Sequence, residues 1–373
     1  MPDPVGMSND SPERPWPLPP PAHEPFDLEP QRGGGRGSTA FRIILLLGLL
    51  AAVTAAGIVA GRAVEPASTP TSPPVTTVAT TTVPPPKPTP PAPVVRPVTL
   101  RWGPLRATSV GRLPNGGGQA GAALVGQSLV VVGGNGSARI LAGPPDGQLT
   151  VVGALPVPRE AMAVFAAGGK LWALGGESGG KPTDAVLRID LAAGRAKPAG
   201  TFEEPLAESG VVSSQGSAYL AGGWTGTQYA SAVLQFTPPS TVRLVARLPE
   251  GVRSPAVTLS GRTLYVAGGA TASGPSTAVY AVDLDTGGVA SLGQLPQPVV
   301  GGVLFPARGK LYLTGGTTTR DRPSGAVIAI DPATGSPALV GRLTRPLVGA
   351  VAVPAGARPL VVDAPYGSVY RVR

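Results

Sequence analysis

The chain has 373 residues, including 46 prolines and 53 glycines, and carries a formal net charge of +9 at neutral pH. It contains no cysteine, and its single histidine is His23. This composition excludes disulfides and a cysteine nucleophile. Beyond residue 23 it also excludes a Ser-His-Asp triad, a histidine-ligated zinc and a facial-triad iron.

Residues 1–40 are rich in proline and have too few aliphatic residues to form a core, so we expect a disordered tail. Residues 41–61 contain an uncharged and mostly apolar run from Ile43 to Gly61. As a helix, this run spans about 28 Å, which is close to the thickness of a bilayer core. The pattern therefore predicts one transmembrane helix.

Basic residues beside this apolar run predict its orientation. Arg32, Arg36 and Arg42 precede the run, whereas only Arg62 follows it closely. The positive-inside rule then predicts a cytoplasmic N-terminus and an extracellular C-terminal domain on a single-pass protein of the cell membrane. The alternative is a signal peptide cleaved near the small residue Ala63.

Residues 62–97 combine many prolines and threonines with almost no large apolar residue. Proline-rich chain of this kind is extended, so the segment reaches on the order of 100 Å. We expect a stalk that holds the following domain away from the membrane.

Residues 98–373 repeat a short apolar run that ends in Gly-Gly, as in KLYLTGG from Lys310 to Gly316. The first glycines of the pairs are Gly133, Gly175, Gly222, Gly268 and Gly315. Their spacings of 42, 47, 46 and 47 residues are typical of a four-stranded propeller blade. In the best-formed unit the pattern predicts four strands: 161–167, 170–175, 185–191 and 197–202.

The last unit lacks a fourth strand of its own. Its second strand, Leu360–Asp363, is followed by Ala364, so that Asp-Ala replaces Gly-Gly, and the chain ends after a third strand. Near the start of the domain, Leu105–Gly111 resembles an isolated fourth strand. We therefore predict an all-β fold: a six-bladed β-propeller in which the N-terminal strand closes the last blade. A degenerate seven-bladed propeller is the alternative.

The segment LPVPREAMAVFAAGGKLWALGG (Leu155–Gly176) resembles a kelch repeat. It has Pro-Arg before the first strand, an aromatic residue in the second strand and the Gly-Gly pair. The aromatic position recurs as Trp172, Tyr219, Tyr265 and Tyr312. The domain thus resembles the kelch-like β-propellers, the type of the galactose oxidase central domain, in a membrane-anchored bacterial form. It departs from that family in having no tryptophan in the fourth strands.

The resemblance implies a kelch-like propeller whose partners are proteins or glycans. The copper radical oxidases of that family depend on cysteine, so their activity does not carry over. In a propeller, the loops before the first strands and after the second strands open on one face around the channel. From these loops we select seven candidate ligand-binding residues: Arg159, Glu160, Trp224, Tyr229, Arg253, Arg320 and Arg345.

Charge and residue type suggest the ligand. Residues 98–373 hold 23 Lys and Arg against 14 Asp and Glu. Arginines around a concave mouth make bidentate contacts to carboxylate or phosphate, and Trp224 and Tyr229 offer apolar surfaces to sugar rings. We expect a monomeric binding or scaffolding module for a protein or an anionic cell-wall glycan, without a cofactor, a metal or nucleic acid.

An enzyme is the alternative interpretation. Glu160 and Glu208 lie in adjacent loops, where they are candidates for a carboxylate pair across the channel mouth. A histidine-free sugar epimerase or lyase working with carboxylates and arginines fits such a pair.

Overall fold

The computed structural model describes residues 99–114 and 117–373. The tail, the transmembrane helix and the stalk expected at residues 1–40, 41–61 and 62–97 lie outside the described residues. Within the described ranges the fold is all-β, with its sheets in a propeller-like arrangement. None of the helical segments in these ranges is long or apolar enough to cross a membrane.

Most strands are four to eight residues long. The strands of the first half are β1 (Thr99–Trp102), β2 (Leu105–Arg112), β3 (Gly121–Val125), β4 (Ser128–Val132), β5 (Arg139–Gly143), β6 (Thr150–Ala154), β7 (Ala163–Ala167), β8 (Lys170–Leu174), β9 (Glu177–Ser178), β10 (Lys181–Pro182), β11 (Ala185–Asp190), β12 (Arg195–Thr201), β13 (Gly210–Ser214) and β14 (Ser217–Ala221).

The second half continues the same pattern and adds two short 3₁₀ turns, Thr319–Asp321 and Ala364–Tyr366. Its strands are β15 (Ala232–Thr237), β16 (Thr241–Arg247), β17 (Ala256–Ser260), β18 (Thr263–Ala267), β19 (Ala270–Thr271), β20 (Gly274–Pro275), β21 (Ala278–Asp283), β22 (Val289–Gln294), β23 (Val303–Ala307), β24 (Lys310–Thr314), β25 (Ala326–Ile330), β26 (Pro337–Arg342), β27 (Val351–Val353), β28 (Leu360–Asp363) and β29 (Ser368–Val372).

Each repeat folds as an antiparallel meander of four strands. Three of these meanders are separate sheets: β13–β16, β17-β18-β21-β22 and β23–β26. Two others, β3–β6 and β7-β8-β11-β12, join into one eight-stranded sheet because β6 and β12 pair in parallel at Ala154 and Arg195. The strands predicted for the best-formed unit correspond to β7, β8, β11 and β12, with ends that differ by up to two residues.

The last sheet has the order β1-β2-β29-β28-β27. As expected from the sequence, the N-terminal strand β2 pairs with the C-terminal strand β29, from Ala107 opposite Val372 to Arg112 opposite Ser368. The sequence did not indicate the fifth strand, β1. Its Trp102 is buried, with its ring centroid 5.5 Å from that of Tyr370, so β1 anchors the N-terminal hairpin to the sheet.

The innermost strands of the sheets surround a channel. Strands β3, β7, β13, β17, β23 and β27 contact one another in that order, and β27 contacts β3 again. Apolar side chains fill the spaces between neighbouring sheets rather than the channel. Phe165 and Trp172 of one sheet, for example, pack against Phe236 of the next.

Each Gly-Gly pair ends a second strand and is hydrogen-bonded to the loop that follows the fourth strand of the same repeat. At Gly268, which has a φ of +64°, an added Cβ would overlap the carbonyl oxygen of Val299, and the next residue, Gly269, donates its N–H to that oxygen at 2.8 Å. The equivalent bonds run from Gly134 to Arg159, Gly176 to Leu206, Gly223 to Val252 and Gly316 to Leu347. Glycine is required here by both the backbone angle and the close approach.

We expect Gly268→Ala to lower the free energy of unfolding by about 3 kcal/mol or more, since it combines backbone strain with a steric overlap. Gly261→Ala is the matched control, because Gly261 has a φ of +61° but no atom within 4 Å of an added Cβ. Strain alone is expected to cost about 1–2 kcal/mol there. Denaturant unfolding of both variants measures the difference, and equal losses would contradict the role given to the close approach.

Candidate functional site

In each loop that leads into an innermost strand, the residue two positions before the strand has a left-handed backbone conformation and lines the channel mouth. These residues are Gln119, Ala161, Glu208, Ser254, Gly301 and Gly349, with φ between +49° and +70°. Together with residues of the innermost strands they line a cavity of about 170 Å³. Backbone hydrogen bonds link five of the six from loop to loop. The N–H of Ala161 donates to the carbonyl oxygen of Gln119 at 2.9 Å, that of Glu208 to Ala161 at 3.0 Å, that of Ser254 to Glu208 at 2.8 Å and that of Gly301 to Ser254 at 2.8 Å.

A positive φ is costly for residues other than glycine and persists only where surrounding contacts enforce it. Here the hydrogen bonds between loops enforce it. Three of the positions carry polar side chains, Gln119, Glu208 and Ser254, and the other three are alanine or glycine. The mouth therefore has its polar side chains on one side and only glycines on the other.

Glu208 is the best-anchored polar group at the mouth. Its Oε2 accepts a hydrogen bond of 2.5 Å from Ser254 Oγ, and its Oε1 lies 3.5 Å from the Arg253 guanidinium. The Glu208 side chain is only 14% exposed. The carboxylate is thus oriented in advance and still has lone pairs to accept further hydrogen bonds.

Two more carboxylates lie near Glu208. Glu160 and Glu177 form a backbone bridge, with N–H···O distances of 3.0 and 2.8 Å. Burial raises the pKa of Glu177, the charges of Glu208 and Glu160 raise it further, and Arg253 opposes them. The expected pair of Glu160 and Glu208 is therefore part of a group of three carboxylates. Even so, within residues 99–114 and 117–373 no acidic group of three or more is arranged to hold a metal ion.

An aromatic cleft adjoins the mouth. Trp224 and Tyr229 are both half-buried, with ring centroids 5.3 Å apart and ring planes at 63°. The cleft has a volume of about 500 Å³ and is also lined by Thr227, Gln228, Glu250, Gly251, Ala272 and Ser273. The Arg253 guanidinium lies 5.7 Å from the Tyr229 ring centroid. Arg253 thus contacts both the aromatic cleft and Glu208.

Arg159 is buried rather than exposed at the mouth. Its guanidinium donates hydrogen bonds to the carbonyl oxygens of Gly175 at 3.2 Å and Ala185 at 3.3 Å, and burial lowers its pKa. The hydrogen bond from the second glycine explains this placement. The carbonyl of Arg159 accepts this bond at the loop position that Leu206 and Val252 occupy in other repeats. The expectation that its guanidinium lines the mouth is wrong for this reason.

Arg345 is not at the loop position of Glu160 and Arg253 but three residues before it. Its side chain contacts the last sheet. It donates to Asp363 Oδ2 at 2.7 Å and to the Tyr370 hydroxyl at 2.8 Å, and it lies 3.8 Å from the Tyr366 ring centroid. Asp363 replaces the first glycine of the last repeat and is fully buried. Burial raises the pKa of Asp363 to about 6, against the effect of Arg345.

The structure brings some of the residues predicted from the sequence together and separates others. Trp224, Tyr229 and Arg253 lie together. The Glu160 carboxylate instead accepts a hydrogen bond from the Gly136 N–H at 3.2 Å, and Arg345 lies with the last repeat. The Arg320 side chain lies outside the described residues, although its backbone belongs to the turn Thr319–Asp321. Ser254 was missed, and the only available signal was its equivalence to Glu208 one repeat earlier.

Neither a protein-family model nor a curated protein matches this chain. Among solved structures, the one described as "Structure of YjhT" is similar, with a TM-score of 0.60 and 15% sequence identity. The similarity covers 70% of this chain and 94% of that chain. At this level of identity the likeness shows the fold alone, and it agrees with the propeller-like arrangement of sheets.

Because the pKa of Asp363 is higher in the folded protein than the ordinary aspartate value of 3.8, the folded state binds this proton more tightly. The resulting stability is fully present below about pH 4 and is lost as the pH rises through about 6. We therefore expect the free energy of unfolding of the wild type to fall by roughly 3 kcal/mol over this pH window, relative to that of Asp363→Asn, whose side chain does not titrate.

Denaturant unfolding of both proteins between pH 3.5 and 7.5 measures this difference, and other titrating groups cancel in the comparison. A difference that stays constant, or that favours the wild type as the pH rises, would mean that Arg345 keeps Asp363 ionised throughout.

Proposed function

We propose that this protein is a kelch-like, six-bladed propeller that acts as a glycan-binding module outside the cell, anchored by residues 41–61 and raised on the stalk 62–97. The circle of innermost strands β3, β7, β13, β17, β23 and β27 supports the blade count. The pairing of β2 with β29 supports closure by the N-terminal strand. The anchor is supported by the apolar run and its arginine flank.

The aromatic cleft carries the proposal for a glycan. Trp224 and Tyr229 present apolar ring faces at the surface, where a large aromatic side chain has little core to fill. The C–H face of a sugar ring fits such a surface, and Gln228 and Glu250 offer polar groups to its hydroxyls. A cleft of mixed aromatic and polar character suits a sugar better than an inorganic anion.

Charge at the site favours a neutral sugar within the cleft. Arg253 pairs with Glu208, Arg345 pairs with Asp363, and the guanidinium of Arg159 is buried. The excess of basic residues in the domain still attracts an anionic cell-wall polymer over longer distances. We propose that this attraction raises the local concentration of the polymer, while the cleft selects its uncharged rings.

We expect Trp224→Ala to weaken binding of neutral oligosaccharides by about tenfold or more, because truncation removes the stacking surface. Tyr366→Ala is the matched control, since Tyr366 is an exposed aromatic residue outside the cleft. Calorimetric titration at low and high salt measures both effects, and stacking is expected to persist at high salt. Unchanged affinity in Trp224→Ala would overturn the role of the cleft.

We expect protease treatment of intact cells to digest residues 98–373 and to leave an N-terminal fragment protected in the cytoplasm, as the positive-inside rule predicts. Immunodetection of tags at both ends measures the outcome. A protected C-terminal domain would contradict the orientation, and a mature N-terminus near Val64 would show secretion instead.

A sugar epimerase or lyase is the second candidate. The raised pKa of Glu177 beside Glu160 and Glu208 favours it, since a carboxyl group with a raised pKa is suited to proton transfer. Nuclear magnetic resonance of the sugar after incubation separates the candidates. A binding module leaves the sugar unchanged, whereas an enzyme changes it, and Glu177→Gln would then abolish the change.

A further inference from the structure

We propose that the aromatic cleft and the channel mouth are two subsites of one elongated site, and that this site binds the end of an oligosaccharide chain. The inference rests on the proposed glycan-binding function. It adds that the preferred ligand has at least two rings, one stacked on Trp224 and Tyr229 and a terminal one in the mouth.

Arg253 joins the two subsites. Its guanidinium lies 5.7 Å from the Tyr229 ring centroid in the cleft and 3.5 Å from Glu208 Oε1 at the mouth. The Arg253 side chain is 40% exposed, so it remains accessible to a ligand that crosses between the subsites. A planar guanidinium with several N–H donors is suited to contact hydroxyls on both sides.

The mouth offers the terminal ring a defined set of polar partners. Glu208 and Ser254 are fixed to each other by a hydrogen bond of 2.5 Å, and Gln119 lies on the same rim. Gly301 and Gly349 on the rest of the rim leave room for the ring itself. Vicinal hydroxyls donate readily to a carboxylate, and such bonds are stronger than neutral ones.

The size of the mouth selects a chain end. The cavity of about 170 Å³ extends from the rim to the side chains of the innermost strands, so the rim itself receives one terminal ring rather than a length of chain. Hydrogen-bonded loops form much of the rim, so an internal unit cannot enter with both of its neighbours. Below the rim the side chains that line this cavity are mostly apolar, with Val164, Val211 and Val257 among them, so the polar partners of the ring lie at the rim.

The test measures affinity for linear malto-, cello- and chito-oligosaccharides of one to six rings. We expect the affinity to rise by about tenfold or more from one ring to two, since the second subsite then contributes. Glu208→Gln is expected to remove this gain while leaving the weak binding of single rings at the cleft. Ser254→Ala is a second variant with the same expected effect, and the melting temperature of each variant confirms that it folds.

Glu203→Gln is the matched control. It makes the same change of charge in the same loop, at an exposed residue that does not line the mouth. We expect it to keep the gain from one ring to two. A second comparison uses α-cyclodextrin, which has the same glucose units as maltohexaose but no chain end, and we expect it to bind more weakly.

The possible outcomes separate this inference from the function on which it rests. Affinity that does not rise beyond one ring, a gain that survives in Glu208→Gln, or equal binding of maltohexaose and α-cyclodextrin would each overturn the two-subsite site while leaving glycan binding intact. If no series binds at all, both the function and the inference fall.

Discussion

The hydrogen bond from the second glycine of each Gly-Gly pair to the loop that leaves the repeat is the constraint on which the rest of the structure depends. It holds the end of the second strand against that loop, at 2.8 Å for Gly269 and Val299. The same contact defines which loop residue faces the core. The next residue of the loop pairs with the segment after the Gly-Gly pair of the following repeat, and the one after that reaches the channel mouth with a positive φ.

This constraint separates scaffold from chemistry at neighbouring positions. Loop residues such as Leu206 and Val252 fill the space between sheets, and substitution there changes packing. Two positions later the backbone is equally fixed, but the side chain is free to vary, as Glu208 and Gly301 show. The propeller therefore supports an asymmetric mouth: carboxylates, Arg253 and the aromatic pair gather in one sector, and glycines occupy the other.

The last repeat has no Gly-Gly pair and is stabilised by different interactions. Asp363 replaces the first glycine, and its buried carboxylate is paired with Arg345 from the loop that leaves the preceding repeat. Pairing of β2 with β29 joins the two ends of the domain, and Trp102 packs on Tyr370 beside it. These contacts compensate for the missing Gly-Gly pair and fourth strand.

The sequence by itself determined the repeat, its strands and the origin of the closing strand, because apolar alternation and Gly-Gly turns are local properties of the chain. It also made Trp224 a candidate, since a large aromatic residue directly after Gly-Gly has little core to fill, and placed Tyr229 in the same loop. Only the tertiary structure decided which loop side chains meet. Arg159 and Arg253 look alike in sequence. Arg159 accepts the hydrogen bond from the second glycine of its repeat and faces the core, whereas Arg253 lies one position after the accepting residue and faces the channel mouth. Ser254 lies 46 residues from Glu208, and the packing of neighbouring sheets brings the two within 2.5 Å.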